Sequence, residues 1–298
     1  MMSADIHHPA TMKTRAARYP PTLRNTLALM RAPALFVNGT PRNLMKHRIG
    51  RMRASVLRKV GGYLAALVFI VAGWWISALI IQSPALPTPF QTVPVLGRYL
   101  PALGPDFATS AYRVAVSVAL GTALAVPVAL VCSRSERIDA LFAPVLYLLY
   151  PIPKVVVLPI LLVLLGLADA PKIALVSLTV FFQVLVAVRD AVRALPEDAL
   201  VSIRVLGAGR LDEYRHVVVP ATLPAVFTSL RISAGTAIAV LFFAEAIAGS
   251  TGLGYFIMQS WGMVNYPRMF AGIIALAALG VVLYALFDIA ERRLLRWK

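Results

Sequence analysis

The side chains with chemistry to offer in this chain are a few charged and amide groups inside long apolar runs. Lys154 stands between Pro153 and Pro159, whereas Gln183 and Glu245 each lie in a later run. A charge at mid-membrane costs about 2.5–3.5 kcal/mol, so such a group needs a partner or a function. Pro153, Lys154, Gln183 and Glu245 are therefore the candidates to line a path between the apolar runs.

Two interpretations of these groups stay open on the sequence. The Lys154 ammonium either faces the path and attracts anions, or pairs with Glu245 or with carbonyls that the neighbouring prolines leave free. Gln183 either lines the path or makes a hydrogen bond between two helices.

Motifs of bond-making enzymes are absent from the sequence. There is no G-x-x-x-x-G-K-[ST] and no G-x-S-x-G, and "GSTGLG" at 249–254 lacks the lysine of a nucleotide loop. A single cysteine, Cys132, excludes an intrachain disulfide and argues against a Cys-based metal site. We therefore predict a protein that is not an enzyme and holds no cofactor or metal of its own.

Composition places these residues in a membrane protein. Of 298 residues 59% are hydrophobic, the mean hydropathy is +0.78, and the net charge is +16. Apolar runs predict an all-α protein of about six spans, at 60–82, 114–133, 140–168, 173–188, 221–248 and 269–289. Lys172 and Arg189 bracket the short fourth span and are expected to snorkel to the interface.

The distribution of positive charge predicts the orientation and needs no nucleic-acid partner. With the N-terminus inside, 23 Lys or Arg lie in cytoplasmic segments and four lie outside, namely Arg98, Arg113, Lys172 and Arg268. Cationic residues remain in the cytoplasm, so both termini and the polar segment 194–224 are predicted there.

Three further segments lie outside the predicted spans. Residues 1–59 carry twelve Lys or Arg and predict a largely disordered tail, with a basic helix on the anionic leaflet as the alternative for 46–60; the transmembrane domain is then 60–298. Six prolines in 83–106 predict an extended connection. The segment 249–268 re-enters the membrane, packs over the outer mouth of the protein, or is a surface loop anchored by Trp261 and Tyr266; these alternatives stay open.

The segment 194–224 predicts a folded elbow between spans four and five. Pro196 suits the first position of a helix, and Gly207 suits a left-handed helix end. A second short helix follows, and Pro220 and Pro224 are expected to mark the turn into span five. Apolar side chains left exposed on this helix–glycine–helix unit would need a partner surface.

The elbow resembles the "EAA" loop of ABC importer permeases, in the sulfonate, taurine and nitrate family. Arg204-x-Leu206-Gly207-Ala208 is followed, nine residues after the glycine, by Val217-x-Val219-Pro220. The segments "YPIPKVVVLPILLVLLGLADAPK", "AEAIAGSTGLGYFI" and "LPTPF" also resemble that family, over residues 60–298. The motif's Glu is replaced by Val201, and Glu197 lies one turn earlier.

The resemblance implies a permease whose elbow docks on an ATPase subunit. The residues that it assigns to this coupling are Glu197, Arg204, Leu206, Gly207, Ala208, Tyr214, Val217 and Pro220. With Val201 at the acidic position, we expect the ATPase to meet a more apolar surface.

The same resemblance implies the remaining parts of an importer in the bacterial inner membrane. These are a permease homodimer, two ATPase subunits that use ATP and Mg²⁺, and an extracytoplasmic solute-binding protein. The implied substrate is a small anion of the sulfonate, taurine or nitrate class. A pyrimidine precursor of thiamine and an ATP-independent secondary transporter are the alternatives.

Overall fold

The computed structural model describes residues 41–295, with side chains from residue 61 onward except that of residue 136. The chain divides into two compact units between Phe69 and Ile70. In the first unit, the part of the predicted tail at 1–40 lies outside the described residues. The backbone from Pro41 onward is helical, which agrees with the alternative of a basic helix at 46–60. The division into tail and permease domain stays a prediction.

The described residues form helices joined by short connections, with no strand among them. The helices are α1 Pro41–Ile81, α2 Pro89–Ser133, α3 Glu136–Leu149, α4 Leu158–Leu165, α5 Asp169–Arg193, α6 Glu197–Val205, α7 Arg210–Glu213, α8 Val219–Ala248, α9 Leu253–Gly262 and α10 Tyr266–Leu294. A 3₁₀ turn, Lys154–Val157, precedes α4, and a π-helical segment, Tyr214–Val218, joins α7 to α8.

Five helical stretches are long and apolar enough to cross a membrane, and a bent pair of helices makes up to six. The predicted all-α membrane architecture is therefore confirmed. The third predicted span, 140–168, is wrong as a continuous helix: its two halves meet at 88°. Pro151 and Pro153 explain the break, since neither donates a backbone hydrogen bond and each disfavours helical geometry in the residue before it.

The predicted extended connection at 83–106 is also wrong, because α2 begins at Pro89 and has Pro94, Pro101 and Pro105 inside it. The Thr88 side chain accepts from the Gln91 amide while the Gln91 side chain accepts from the Thr88 amide, a capping box that fixes the helix start. Packing of α2 against α10 then overrides the poor helix propensity of proline.

The core of the second unit lies where α5 packs between α2 and α8. Along α5, Val176, Val180, Val184 and Val188 are all fully buried. A Cβ at Gly121 would lie 2.6 Å from the Ser177 carbonyl oxygen, so α2 and α5 approach closely. The hydrophobic effect contributes little to contacts between membrane helices, because lipid tails are as apolar as the side chains. Small residues stabilise such contacts by letting the two backbones pack closely.

The segment 249–268, for which several interpretations were open, contains α9. This helix packs against α2, α8 and α10 and buries Phe256 and Ile257. Trp261 is exposed and Tyr266 is half-buried at the start of α10. The segment is therefore an integral part of the helix bundle, with one of its two proposed aromatic anchors exposed.

Candidate functional site: the elbow and the buried ion-pair network

The elbow has the helix–glycine–helix form that the sequence predicts. Helix α6 ends before Gly207, whose φ of 85° is left-handed, and α7 begins three residues later. Pro196 precedes α6 instead of occupying its first position. Pro220 and Pro224 do not mark a turn, because residues 210–248 form one long helical stretch that contains both prolines. Pro220 lies in the first turn of α8, where no backbone donor is needed.

The tip of the elbow is apolar and faces away from the protein. We define the elbow tip as Val205, Leu206 and Leu211, whose exposed fractions are 80%, 86% and 79%. Val201, at the position of the motif's Glu, is half-exposed. Apolar side chains this exposed, flanking a glycine turn, are typical of a surface that another protein covers.

Glu213 holds the elbow together and was missed by the sequence analysis. Its side chain is buried and accepts hydrogen bonds from Arg204 at 3.0 and 3.1 Å and from Arg134. Arg134 caps the end of α2, so the pair ties the elbow to the bundle. In the sequence Glu213 looks the same as its exposed neighbour Asp212, because Arg134 lies 79 residues away.

The predicted coupling residues divide into two groups. Glu197, Leu206 and Gly207 are exposed, Arg204 is about half-exposed, and Ala208 lines a cavity beside the elbow. Tyr214, Val217 and Pro220 are instead half-buried: Arg134 lies 5.9 Å above the Tyr214 ring, and Val217 packs on the core. The first group is free to touch a partner, whereas the second positions the elbow.

Lys154 does not pair with Glu245. Its ammonium donates to the carbonyl oxygens of Leu149, Tyr150 and Ile152 at 2.7, 3.0 and 2.8 Å. The bend in the third span frees these carbonyls, so Lys154 uses its three N–H groups to satisfy them. The alternative that assigned Lys154 to freed carbonyls describes the observed contacts.

Gln183 and Pro153 complete the predicted path residues. The Gln183 Oε1 accepts from the Thr236 hydroxyl at 3.0 Å, which joins α5 to α8. This is the interhelical bond that the sequence left open as one of two interpretations. Pro153 is exposed and begins the 3₁₀ turn beside Lys154.

Glu245 belongs to a buried ion-pair network at the end of α8. We define this network as Ser110, Arg113, Asp169, Glu245 and Thr251. Arg113 donates to Glu245 at 2.8 Å and to Asp169 at 2.6 Å, and Ser110 donates to both Glu245 oxygens. Both Arg113 and Glu245 are almost fully buried, so each depends on the other for its charge to be tolerated.

Three cations that the sequence analysis placed in loops or at the membrane interface are buried in the helix bundle. Arg113 and Lys172, counted as outside charges, are each 2% exposed. Lys172 donates to the carbonyls of Leu167 and Ala168, just before α5. The prediction that Lys172 and Arg189 snorkel to the interface is wrong, because both side chains are buried within the bundle. Each cation has partners inside the bundle, which a hydropathy pattern does not reveal.

Arg189 makes a second buried ion pair. Its Nε and Nη2 atoms donate to the two carboxylate oxygens of Asp139 at 2.7 and 2.9 Å. This bidentate geometry joins α3 to α5. It accounts for a charge at the end of an otherwise apolar helix.

The glycines of "GSTGLG" shape a cradle for the Glu245 carboxylate. The Gly254 amide donates to Glu245 at 2.9 Å. A Cβ at Gly252, whose φ is 104°, would lie 2.4 Å from the Glu245 carboxyl carbon, and one at Gly254 would lie 2.8 Å from the Glu245 Cβ. The motif therefore encodes close approach of backbone to a buried acid.

Within the described residues no group of three or more His, Cys, Asp or Glu side chains could hold a metal ion. The polar groups of the network contact one another, and at the elbow Glu213 contacts Arg134 and Arg204. The network's arrangement supports packing of the helices.

A protein family matches most of the described second unit. Residues 117–296 match the family described as the binding-protein-dependent transport system inner membrane component. The match includes the elbow, α8 and the glycine cradle, and it covers more than half of the chain.

Similar curated proteins are permeases. The chain is 28% identical to the aliphatic sulfonates transport permease protein SsuC of Bacillus subtilis, over 86% of this chain and 95% of that one. It is 26% identical to the taurine transport system permease protein TauC of Escherichia coli, over 83% and 93%. It is 29% identical to the formylaminopyrimidine transport permease protein ThiX of Halalkalibacterium halodurans, over 76% and 91%.

A solved structure shares the fold. A chain of the MetNI methionine ABC transporter superposes with a TM-score of 0.56 at 18% identity, over 66% of this chain and 98% of that chain. At that identity the likeness concerns the path of the backbone.

Proposed function

This chain belongs to the binding-protein-dependent transport system inner membrane component family, and we propose its role in transport on that basis. The chain is a multi-pass inner-membrane protein and the permease subunit of an ATP-binding-cassette importer. Family membership favours this importer over an ATP-independent secondary transporter. It also assigns the chain to transport instead of catalysis.

The elbow is the proposed docking site of the ATPase subunit. The exposed apolar elbow tip carries this proposal, because apolar side chains at a helix–glycine–helix corner are stabilised when a partner covers them. Behind the tip, α7 continues through the π-helical segment into α8. A push on the elbow would therefore move α8 as one lever.

The remaining subunits follow from this role. Two copies of the permease would enclose the path, two ATPase subunits would bind ATP and Mg²⁺, and an extracytoplasmic binding protein would deliver the solute. This chain itself would bind no nucleotide. Both termini and the elbow would lie in the cytoplasm, a placement supported by the excess of Lys and Arg in those segments.

The proposed substrate is a small anion of the sulfonate, taurine or nitrate class. Similarity to SsuC and TauC over more than four fifths of the chain supports sulfonates and taurine. A thiamine-precursor pyrimidine is the second candidate, supported by similarity to ThiX. Uptake of labelled taurine and of labelled formylaminopyrimidine into proteoliposomes holding the assembled transporter would decide between them.

Leu206→Asp tests the docking proposal. A charge at the centre of the apolar tip should weaken binding of the ATPase subunit about thirtyfold or more, as at an interface hot spot. The mutation touches no buried group, so thermal unfolding of the permease should be unchanged. Leu206→Met, which keeps an apolar tip, is the matched control. Unaltered ATPase binding and uptake in the Asp variant would refute docking at the elbow.

Lys154 is proposed to hold the bend of the third span, and Lys154→Met tests that role. Loss of the ammonium removes the donor from the Tyr150 and Ile152 carbonyls, whereas the Leu149 carbonyl keeps the Ile152 amide at 3.3 Å, so thermal stability should fall by about 1–3 kcal/mol. Lys154→Arg, which keeps a cation that can donate hydrogen bonds, should retain part of the lost thermal stability. Uptake per folded molecule should stay within about twofold of wild type. Loss of uptake in a fully stable Met variant would make Lys154 a path residue.

A further inference from the structure

A cavity of 870 Å³ opens between the elbow and the junction of α2 and α3. Its lining has three cations, Arg134, Arg204 and Arg210, and one anion, Glu213. Glu213 already accepts hydrogen bonds from Arg134 and Arg204. One negative charge is thus shared between two guanidinium groups, and the lining retains an excess of positive charge.

Arg210 has no carboxylate partner within the described part of the chain. It is exposed, stands at the first position of α7 and lines the cavity. Asp212, the nearest acid in sequence, uses its Oδ2 to accept from the Gly209 amide at 3.2 Å. The Arg210 guanidinium is therefore available to an anion from outside the chain.

Docking at the elbow tip would change the surroundings of these arginines. The tip residues Leu206 and Leu211 flank the segment Ala208–Gly209–Arg210, which forms one rim of the cavity. A partner that covers the tip removes water from Arg210 and from Arg204, whose side chain is 54% exposed. Desolvating an unpaired cation is costly, so the covering surface must supply negative charge.

We propose that the ATPase subunit inserts an aspartate or glutamate side chain into this cavity, where its carboxylate accepts hydrogen bonds from Arg210 and Arg204. The guanidinium fork suits a two-point contact with a carboxylate. This inference rests on the proposed docking of the ATPase at the elbow. An ion pair across the interface can then form although Val201 replaces the Glu of the motif. In this pair the permease contributes the cation and the ATPase contributes the acid.

An anionic lipid headgroup is the competing occupant. It fits the charge of the cavity but not its position, because the rim at Ala208–Gly209–Arg210 adjoins the tip that the ATPase would cover. A side chain of the same partner reaches the cavity without displacing that contact.

The first test measures binding of the co-expressed ATPase subunit to the full-length permease in nanodiscs. Arg210→Gln should raise the Kd at least about tenfold, as expected for a lost hydrogen bond to a charged group. Arg215→Gln is the control, since Arg215 is exposed on the same elbow but does not line the cavity. Its Kd should stay within twofold, and both variants should unfold at the wild-type temperature.

The second test identifies the occupant directly. A photo-crosslinking residue in place of Ala208, which lines the same cavity and leaves Arg210 intact, should attach to an ATPase peptide that contains Asp or Glu. Changing that acid to Lys should weaken binding to the wild-type permease, and Arg210→Glu should then restore it.

The outcomes separate this inference from the proposed function. If Leu206→Asp abolishes ATPase binding while Arg210→Gln leaves it unchanged, docking at the elbow stands and the acidic insertion is refuted. If neither change affects binding, both proposals fail. If Arg210→Gln removes bound anionic lipid in native mass spectrometry and leaves ATPase binding intact, the cavity is a lipid site and the inference is overturned.

Discussion

The two ends of helix α8 differ in how they treat charge and apolar surface. At the end marked by Glu245, Glu245 and its partner Arg113 are buried, and backbone is packed against the Glu245 carboxylate. At the other end, the elbow leaves Leu206 exposed and Arg210 unpaired within the described residues. A helix of 30 residues separates the ends by about 45 Å.

This difference indicates a division of labour along one helix. The buried ion-pair network joins α2, α5, α8 and the turn before α9. Its central pair, Arg113 and Glu245, is buried and engaged within the bundle. The elbow is held by Glu213 but keeps its apolar and cationic groups on the surface. One end is built for rigid packing and the other for contact.

Arg113→Met tests the ion-pair network at the Glu245 end of α8 and should have the largest effect on stability. The change leaves Glu245 buried without its cation, which costs about 3–5 kcal/mol. We expect a large fall in the thermal unfolding temperature of the purified permease. Arg98→Met on the same helix is the control, because Arg98 is exposed, and it should change stability by less than about 0.5 kcal/mol. Equal stability of the two variants would contradict the role given to the network.

Gly254→Ala tests whether the glycine cradle needs close approach of its backbone to Glu245. The added methyl group would lie 2.6 Å from the Phe242 carbonyl oxygen and 2.8 Å from the Glu245 Cβ, so we expect a loss of about 1–3 kcal/mol. Gly235→Ala on α8 meets nothing within 4 Å and should be neutral or slightly stabilising. Thermal unfolding measures both, and a neutral Gly254→Ala would mean that the cradle can widen freely.

Gly207→Ala should have the smallest effect and a local one. A side chain at φ 85° costs about 1–2 kcal/mol, and it acts only on the corner of the elbow. Hydrogen exchange at residues 197–213 should become faster while the rest of the bundle is unchanged. Gly209, with φ of −77°, is the control, and Gly209→Ala should leave exchange as in wild type. Faster exchange throughout the bundle would show that the elbow is not a separate unit of stability.

Local signals in the sequence predicted the elbow well. Gly207 takes the left-handed conformation because only glycine adopts it without strain. The apolar runs became membrane helices because lipid requires every backbone group to bond within its own helix. Prolines gave two wrong predictions: Pro94, Pro101 and Pro105, expected in an extended connection, lie within α2, whereas Pro151 and Pro153 lie where the third span, expected to be continuous, is broken.

The membrane class, the family motif and the helix–glycine–helix corner could all be predicted from the sequence, because each depends on residues close together along the chain. The partners of the charges could not, because they come from the packing of distant helices. Arg113 meets Glu245 across 132 residues, and Arg134 meets Glu213 across 79. A buried charge takes whatever counter-charge the packing of helices brings within about 3 Å, and no local pattern encodes that distance.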